Sequence, residues 1–153
     1  MNNVEIQRVC EEPGIPDSDQ FQCWAKAVLE GRVQGTEAVI RLVDSEESEA
    51  LNREYRKKNG PTNVLSFTYG PIGEHAMQLL GDVVICVPVV AAEAVAQQKD
   101  PQAHWAHMVV HGLLHLLGYD HIRDGDAVEM ETLESEILAG MGYPDPYQEI
   151  TDP

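Results

Sequence analysis

Residues 111 to 121 read HGLLHLLGYDH, and the three histidines in that run have the spacing of a metal site. His111 and His115, four apart on a helical pattern, project from one face a turn apart, where two imidazoles can reach one ion. Gly118 stops the helix three residues later, and the chain can then fold back to bring His121 to the same point. Three neutral nitrogen ligands leave a fourth position open, as catalytic zinc requires. They also leave the full 2+ charge of the ion, which lowers the pKa of a bound water from 15.7 to about 7. One Zn2+ per chain is expected, although imidazoles accept other divalent transition metals as well.

The same spacing occurs in the H-E-x-x-H-x-x-G-x-x-H pattern of metzincin peptidases, but their general-base glutamate is Gly112 here. A peptidase must pass a proton from water to a poor amine leaving group, and glycine cannot do so. Phosphodiester cleavage chiefly needs developing negative charge neutralised by a metal and a cation. A glycine inside a helix costs about 1 kcal/mol relative to alanine, so Gly112 is read as keeping space open beside the metal. His104 and His107 precede His111 by two turns and one turn on nearly the same face, placed to pack there or to support the ligands. Asp120 can orient an imidazole, act as a base, or sit in a solvated turn.

Phosphate chemistry would need a cation, and Arg53, Arg56, Lys57 and Lys58 fall together in REYRKK beside the neutral turn NGPTN. The competing reading is a solvated helix end whose cations favour the C-terminal dipole. The rest of the chain is acidic: 26 Asp and Glu against 10 Lys and Arg give a net charge of -16, which repels polyanions at long range. Any nucleic-acid role is therefore local, and broad DNA binding is not expected. Cys10, Cys23 and Cys86 are odd in number and widely spaced, so neither a disulfide framework nor a thiolate metal site is indicated. With no basic start before a long apolar run and no stretch of about 20 apolar residues, a cytoplasmic chain without a membrane role is expected.

At 153 residues the chain reads as one domain, 1–153. Short alternating or β-rich runs at VEIQRV, AVIRLV, NVLSF and LLGDVVIC predict four strands. Helices are predicted over 18–30, from an N-cap at Ser45, over 88–98 with Pro88 in the first turn, from Pro101 to Gly118, and over 124–139 with Val128, Leu133, Ile137 and Leu138 as its apolar face. The tail PYQEITDP is read as frayed. The order β-α-β-α-β-β-α-α-α implies an α+β single domain. About five helices pack on a small mixed four-stranded sheet, with the metal site at the end of the fourth helix.

HGxLHLxGYDH, together with LNREYRKKNGPTNVLSF, LLGDVVIC, WAHMVVH and EMETLESEIL, resembles the YbeY family of bacterial metallo-endoribonucleases. That resemblance implies zinc-dependent hydrolysis of single-stranded RNA, in 3′ maturation of small-subunit ribosomal RNA and in ribosome quality control. It carries the family's metal ligands onto His111, His115 and His121 and its functional arginine onto Arg56. A guanidinium is always charged and can make two parallel hydrogen bonds to phosphate oxygens. Many members have aspartate and proline in a T-D-V-L-S-F-P run where this chain has Asn63 and Thr68. Asn63 cannot ionise, so zinc-bound hydroxide is assigned the proton-accepting role, either attacking phosphorus or deprotonating a 2′-hydroxyl. Ribosomal RNA is the partner the resemblance implies, and the charge of -16 suits docking on basic ribosomal proteins. Two other classes stay open: a ribosome-assembly factor whose metal only pins the fourth helix, and, ranked last, a metallopeptidase or amidase.

Overall fold

A computed structural model describes residues 2–68, 78–119 and 124–147. Four strands, β1 (Asn3–Arg8), β2 (Thr36–Val43), β3 (Val64–Thr68) and β4 (Gln78–Cys86), form one sheet in the order β1-β2-β4-β3. β1, β2 and β4 run parallel and β3 antiparallel to β4, so the sheet is mixed. Parallel neighbours need a crossover between them, and α1 (Ser18–Leu29) supplies the one from β1 to β2. β3 stands at an edge of the sheet.

Three of the helices start where an aspartate side chain accepts from exposed backbone N–H groups. Asp17 caps α1 in a reciprocal capping box with Gln20, and Asp100 caps α4 (Pro101–Leu116), whose first residue is a proline. α2 (Ser45–Leu51) is capped by Asp44, which accepts from Glu47 N at 2.9 Å. The N-cap expected at Ser45 is therefore one residue late: Asp44 is as good a cap and stands three residues before Glu47. α3 (Val87–Ala96) and α5 (Asp124–Gly140) complete five helices on the sheet, an α+β single domain as the sequence implied. α4 ends two residues before Gly118, which takes a left-handed φ of 101°.

One sheet face, with Ala38, Ile40, Leu42, Val83 and Ile85, packs against Phe21, Trp24 and Val28 of α1 and Val109, Leu113 and Leu114 of α4. Met130, Ile137 and Leu138 of α5 close the same core. On the opposite face Val43, Leu65 and Val84 form a smaller cluster with Leu51 and Phe67. Val128, expected on the apolar face of α5, is 63% exposed, and Met130 takes that place. Among the described residues no helix is long and apolar enough to cross a membrane.

α4 is buried from His104 to Val110 and again at Gly112–Leu114. It lies so close to the sheet that a Cβ on Gly112 would fall 2.4 Å from Val83 Cγ1 and 3.3 Å from Val64 Cγ2. Gly112 therefore faces β3 and β4, not the metal ligands, which corrects the role read from sequence. The glycine costs helix propensity but allows close helix–sheet packing, which presses the next turn of α4 against β3. Gly112→Ala is expected to destabilise the fold by about 1–3 kcal/mol in denaturant titration, and Val83→Ala in the same chain to restore part of the loss. An alanine variant as stable as wild type would contradict this packing role.

Candidate functional site

α2 continues into a π-helical turn, Asn52–Arg56, which ends where Lys57 takes a left-handed φ of 58°. That turn carries Arg56 to the outer edge of β3, where Nη2 donates to the Ser66 carbonyl at 3.1 Å. On the other side Ser66 Oγ donates to the Gly112 carbonyl at 3.0 Å. Ser66 thus ties the arginine to the helix that bears the histidines. Between them lies an open cleft of about 670 Å³, lined by Arg56, Lys58, Asn63, His111, His115 and Tyr119 among others. Among the described residues of its lining two are cationic and none is acidic, in a chain with 26 acidic residues. On the same π-helical turn Tyr55, 57% exposed, meets the Phe67 ring edge-on at 5.2 Å.

The remaining cations of REYRKK separate in the fold. Arg53 pairs with Glu49 at 2.9 Å on the exposed face, the ordinary surface pair of a helix. Lys58 lines the cleft and Lys57 serves the turn. Asn63 donates its amide to both oxygens of Glu93, at 3.2 Å each, and Glu93 also meets His104 Nε2 at 2.9 Å. An aspartate at position 63 would set carboxylate against carboxylate, so the asparagine has a local reason here.

His111 and His115 bring their Nε2 atoms to 3.1 Å with the rings nearly perpendicular. Two nitrogens bound tetrahedrally at about 2.0–2.1 Å lie about 3.3 Å apart, so this pair fits one ion with little movement. His111 Nδ1 meets Glu134 Oε1 at 2.7 Å, and His107 Nε2 meets Oε2 at 2.7 Å. Tyr147 Oη donates to the same Oε2 at 2.5 Å. Burial pushes the Glu134 carboxyl up, but the hydrogen bonds from His107, His111 and Tyr147 and the charge of His111 outweigh it and hold it at about 2. Burial and Glu134 together push the Tyr147 phenol up. Burial lowers His104, and its contact with Glu93 only partly opposes this.

His107, His111 and Glu134 offer ligand atoms within 4.8 Å of one another and could hold a metal ion. Glu134 is fully buried and His107 is 7% exposed, whereas His111 and His115 line the cleft. His104 and His107 both pack as buried donors to carboxylates, His107 directly behind His111. The Nδ1 atoms of His104 and His107 find no hydrogen-bond partner among the described residues. Of the residues singled out in the sequence, Arg56, His111 and His115 come together; His121 and Asp120 lie outside the described residues.

Glu134 and Tyr147 escaped the sequence reading. Glu134 follows Met130 by four and precedes Leu138 by four, the inward positions of α5, and an acid on that stripe was the available signal. Tyr147 sits in the tail read as frayed, yet it is held by Glu134, and Lys99 Nζ donates to the Pro146 carbonyl at 3.1 Å. Residues 148–153 of that tail lie outside the described residues.

The fold is similar to that of TM1509 from Thermotoga maritima, solved in solution, with a TM-score of 0.56 and 21% sequence identity over 97% of this chain and 100% of that one. At the level of sequence, residues 6–142 match the family described as Endoribonuclease YbeY. A match of that extent, running through the arginine turn, the edge strand and the histidine helix, places the chain in the YbeY endoribonuclease family.

Proposed function

We propose that this protein is a zinc-dependent, single-strand-specific endoribonuclease. Its proposed work is maturation of the 3′ end of small-subunit ribosomal RNA and ribosome quality control in the cytoplasm. The observation that carries the reading is one cleft lined by both Arg56 and the His111–His115 pair. The ion is assigned to His111, His115 and His121, because the histidine pair faces the cleft at ligand spacing. The alternative set of His107, His111 and Glu134 is turned inward. When bound there, a divalent ion supplies Lewis acidity and an activated water.

The chain's own residues do the rest. Arg56, anchored by Ser66 and lining the same cleft as the histidines, presents its guanidinium to a phosphate and neutralises the charge that builds at phosphorus. Lys58 adds a second, less directional cation. Tyr55, exposed and braced by Phe67, offers a ring on which an unpaired base can stack, which a duplex would withhold. Among its described residues the lining carries no acid and so admits a polyanion locally, while the charge of -16 favours docking on basic ribosomal proteins over non-specific adhesion to RNA.

Cleavage of a ribosomal RNA fragment with an unpaired end is the direct test. Arg56→Ala is expected to lower kcat by about 10²-fold with metal content unchanged, and chelation or His115→Ala to abolish turnover. Full cleavage by Arg56→Ala or by the metal-free protein would overturn the proposal. Tyr55→Ala is expected to weaken binding of single-stranded RNA by roughly 1–3 kcal/mol in fluorescence anisotropy, with Tyr55→Phe close to wild type.

A further inference from the structure

The buried carboxylate of Glu134 and the phenol of Tyr147 have no place in the chemistry assigned so far, yet they form the most constrained polar cluster in the described structure. Glu134 is 0% exposed and accepts at both oxygens, His111 on Oε1 and both His107 and Tyr147 on Oε2. A carboxylate with one donor can turn about its own axis. With two donors from separate elements fixed on Oε2, Oε1 is left pointing at His111 Nδ1.

From this geometry we infer that Glu134 and Tyr147 are positioning residues for the metal ligand His111. The inference rests on the assignment of His111 to the metal. A carboxylate that accepts from Nδ1–H keeps the imidazole in the tautomer whose lone pair is on Nε2, and it fixes the ring plane. In His111 that nitrogen faces His115 across 3.1 Å. Tyr147 acts one bond further back, holding the carboxylate that holds the ring.

The segment bearing Tyr147 is anchored without its hydroxyl. Asp145 Oδ1 accepts from Ser135 Oγ and from Tyr147 N, each at 2.9 Å, and Lys99 Nζ holds the Pro146 carbonyl. Two residues before Asp145, Tyr143 Oη accepts from Trp24 Nε1 at 3.2 Å. The Tyr147 ring packs edge-on against His107 at 5.3 Å. Tyr147→Phe therefore removes one hydrogen bond to Glu134 and leaves the strap in place.

Zinc affinity measured by competition with a chromogenic chelator, alongside the unfolding midpoint of the metal-free protein, tests the inference. Tyr147→Phe is expected to weaken zinc binding by about tenfold and Glu134→Gln by up to about 100-fold. The metal-free midpoint of Tyr147→Phe should stay near wild type. In the metal-free protein, nitrogen-15 spectra should show His111 as the Nδ1–H tautomer in wild type and a mixture in Tyr147→Phe. Wild-type affinity and tautomer in Tyr147→Phe would overturn the inference and leave the proposed function standing. A loss of affinity that merely follows a loss of metal-free stability would overturn it too. A wild-type protein that takes up no zinc would overturn the metal assignment beneath both.

Discussion

A carboxylate sealed from water is tolerated only when its charge and lone pairs are met, and Glu134 meets that condition through His107, His111 and Tyr147. The remaining geometry of the site follows from this contact. It joins α5 to the inward face of α4, fixes the His111 ring from behind, and leaves the opposite nitrogen of that ring toward His115 and the cleft. Removing Glu134 would leave the donors of His107, His111 and Tyr147 without their shared acceptor, so the arrangement is organised around that one carboxylate.

A second constraint acts from the other side of α4. Gly112 lets the helix settle onto Val83 and Val64, and the Ser66 hydroxyl then reaches the Gly112 carbonyl. Because Ser66 also receives Arg56 at its own carbonyl, the distance between the guanidinium and the histidines is set by β3 and not by a loop. The site is thus framed by an edge strand with a helix on one side and a π-helical turn on the other. Rigid elements of this kind hold reacting groups more narrowly than loops do.

Much of this was legible in the sequence because it depends on local periodicity. Strand alternation, helical periodicity and proline starts placed the four strands and five α-helices in order, though not the π-helical turn after α2, and the four-residue spacing of His111 and His115 placed them on one helical face. Ser45 was mistaken for the cap because Asp44 beside it satisfies the same rule. Features that depend on tertiary approach were not legible. Helical spacing says which residues share a face with Gly112, but not that Val83 would press against it. Glu134 stands among Glu129, Glu131 and Glu136, so its acidity alone does not set it apart, although its four-residue relation to Met130 and Leu138 marks the inward stripe. The pairing of Arg56 with histidines more than fifty residues later rested on family resemblance until the fold placed both on one cleft.

The central claim is that the metal sits on the cleft side of His111, with Glu134 behind the ring and outside the coordination shell. X-ray absorption at the edge of the ion retained by protein purified without a chelating tag addresses it directly. The expected spectrum is that of a zinc ion with three imidazole nitrogens at about 2.0–2.1 Å, and it should persist in Glu134→Gln protein loaded to the same occupancy. A shell containing a carboxylate oxygen that disappears in Glu134→Gln, or one that keeps its imidazole count in His115→Ala, would contradict it.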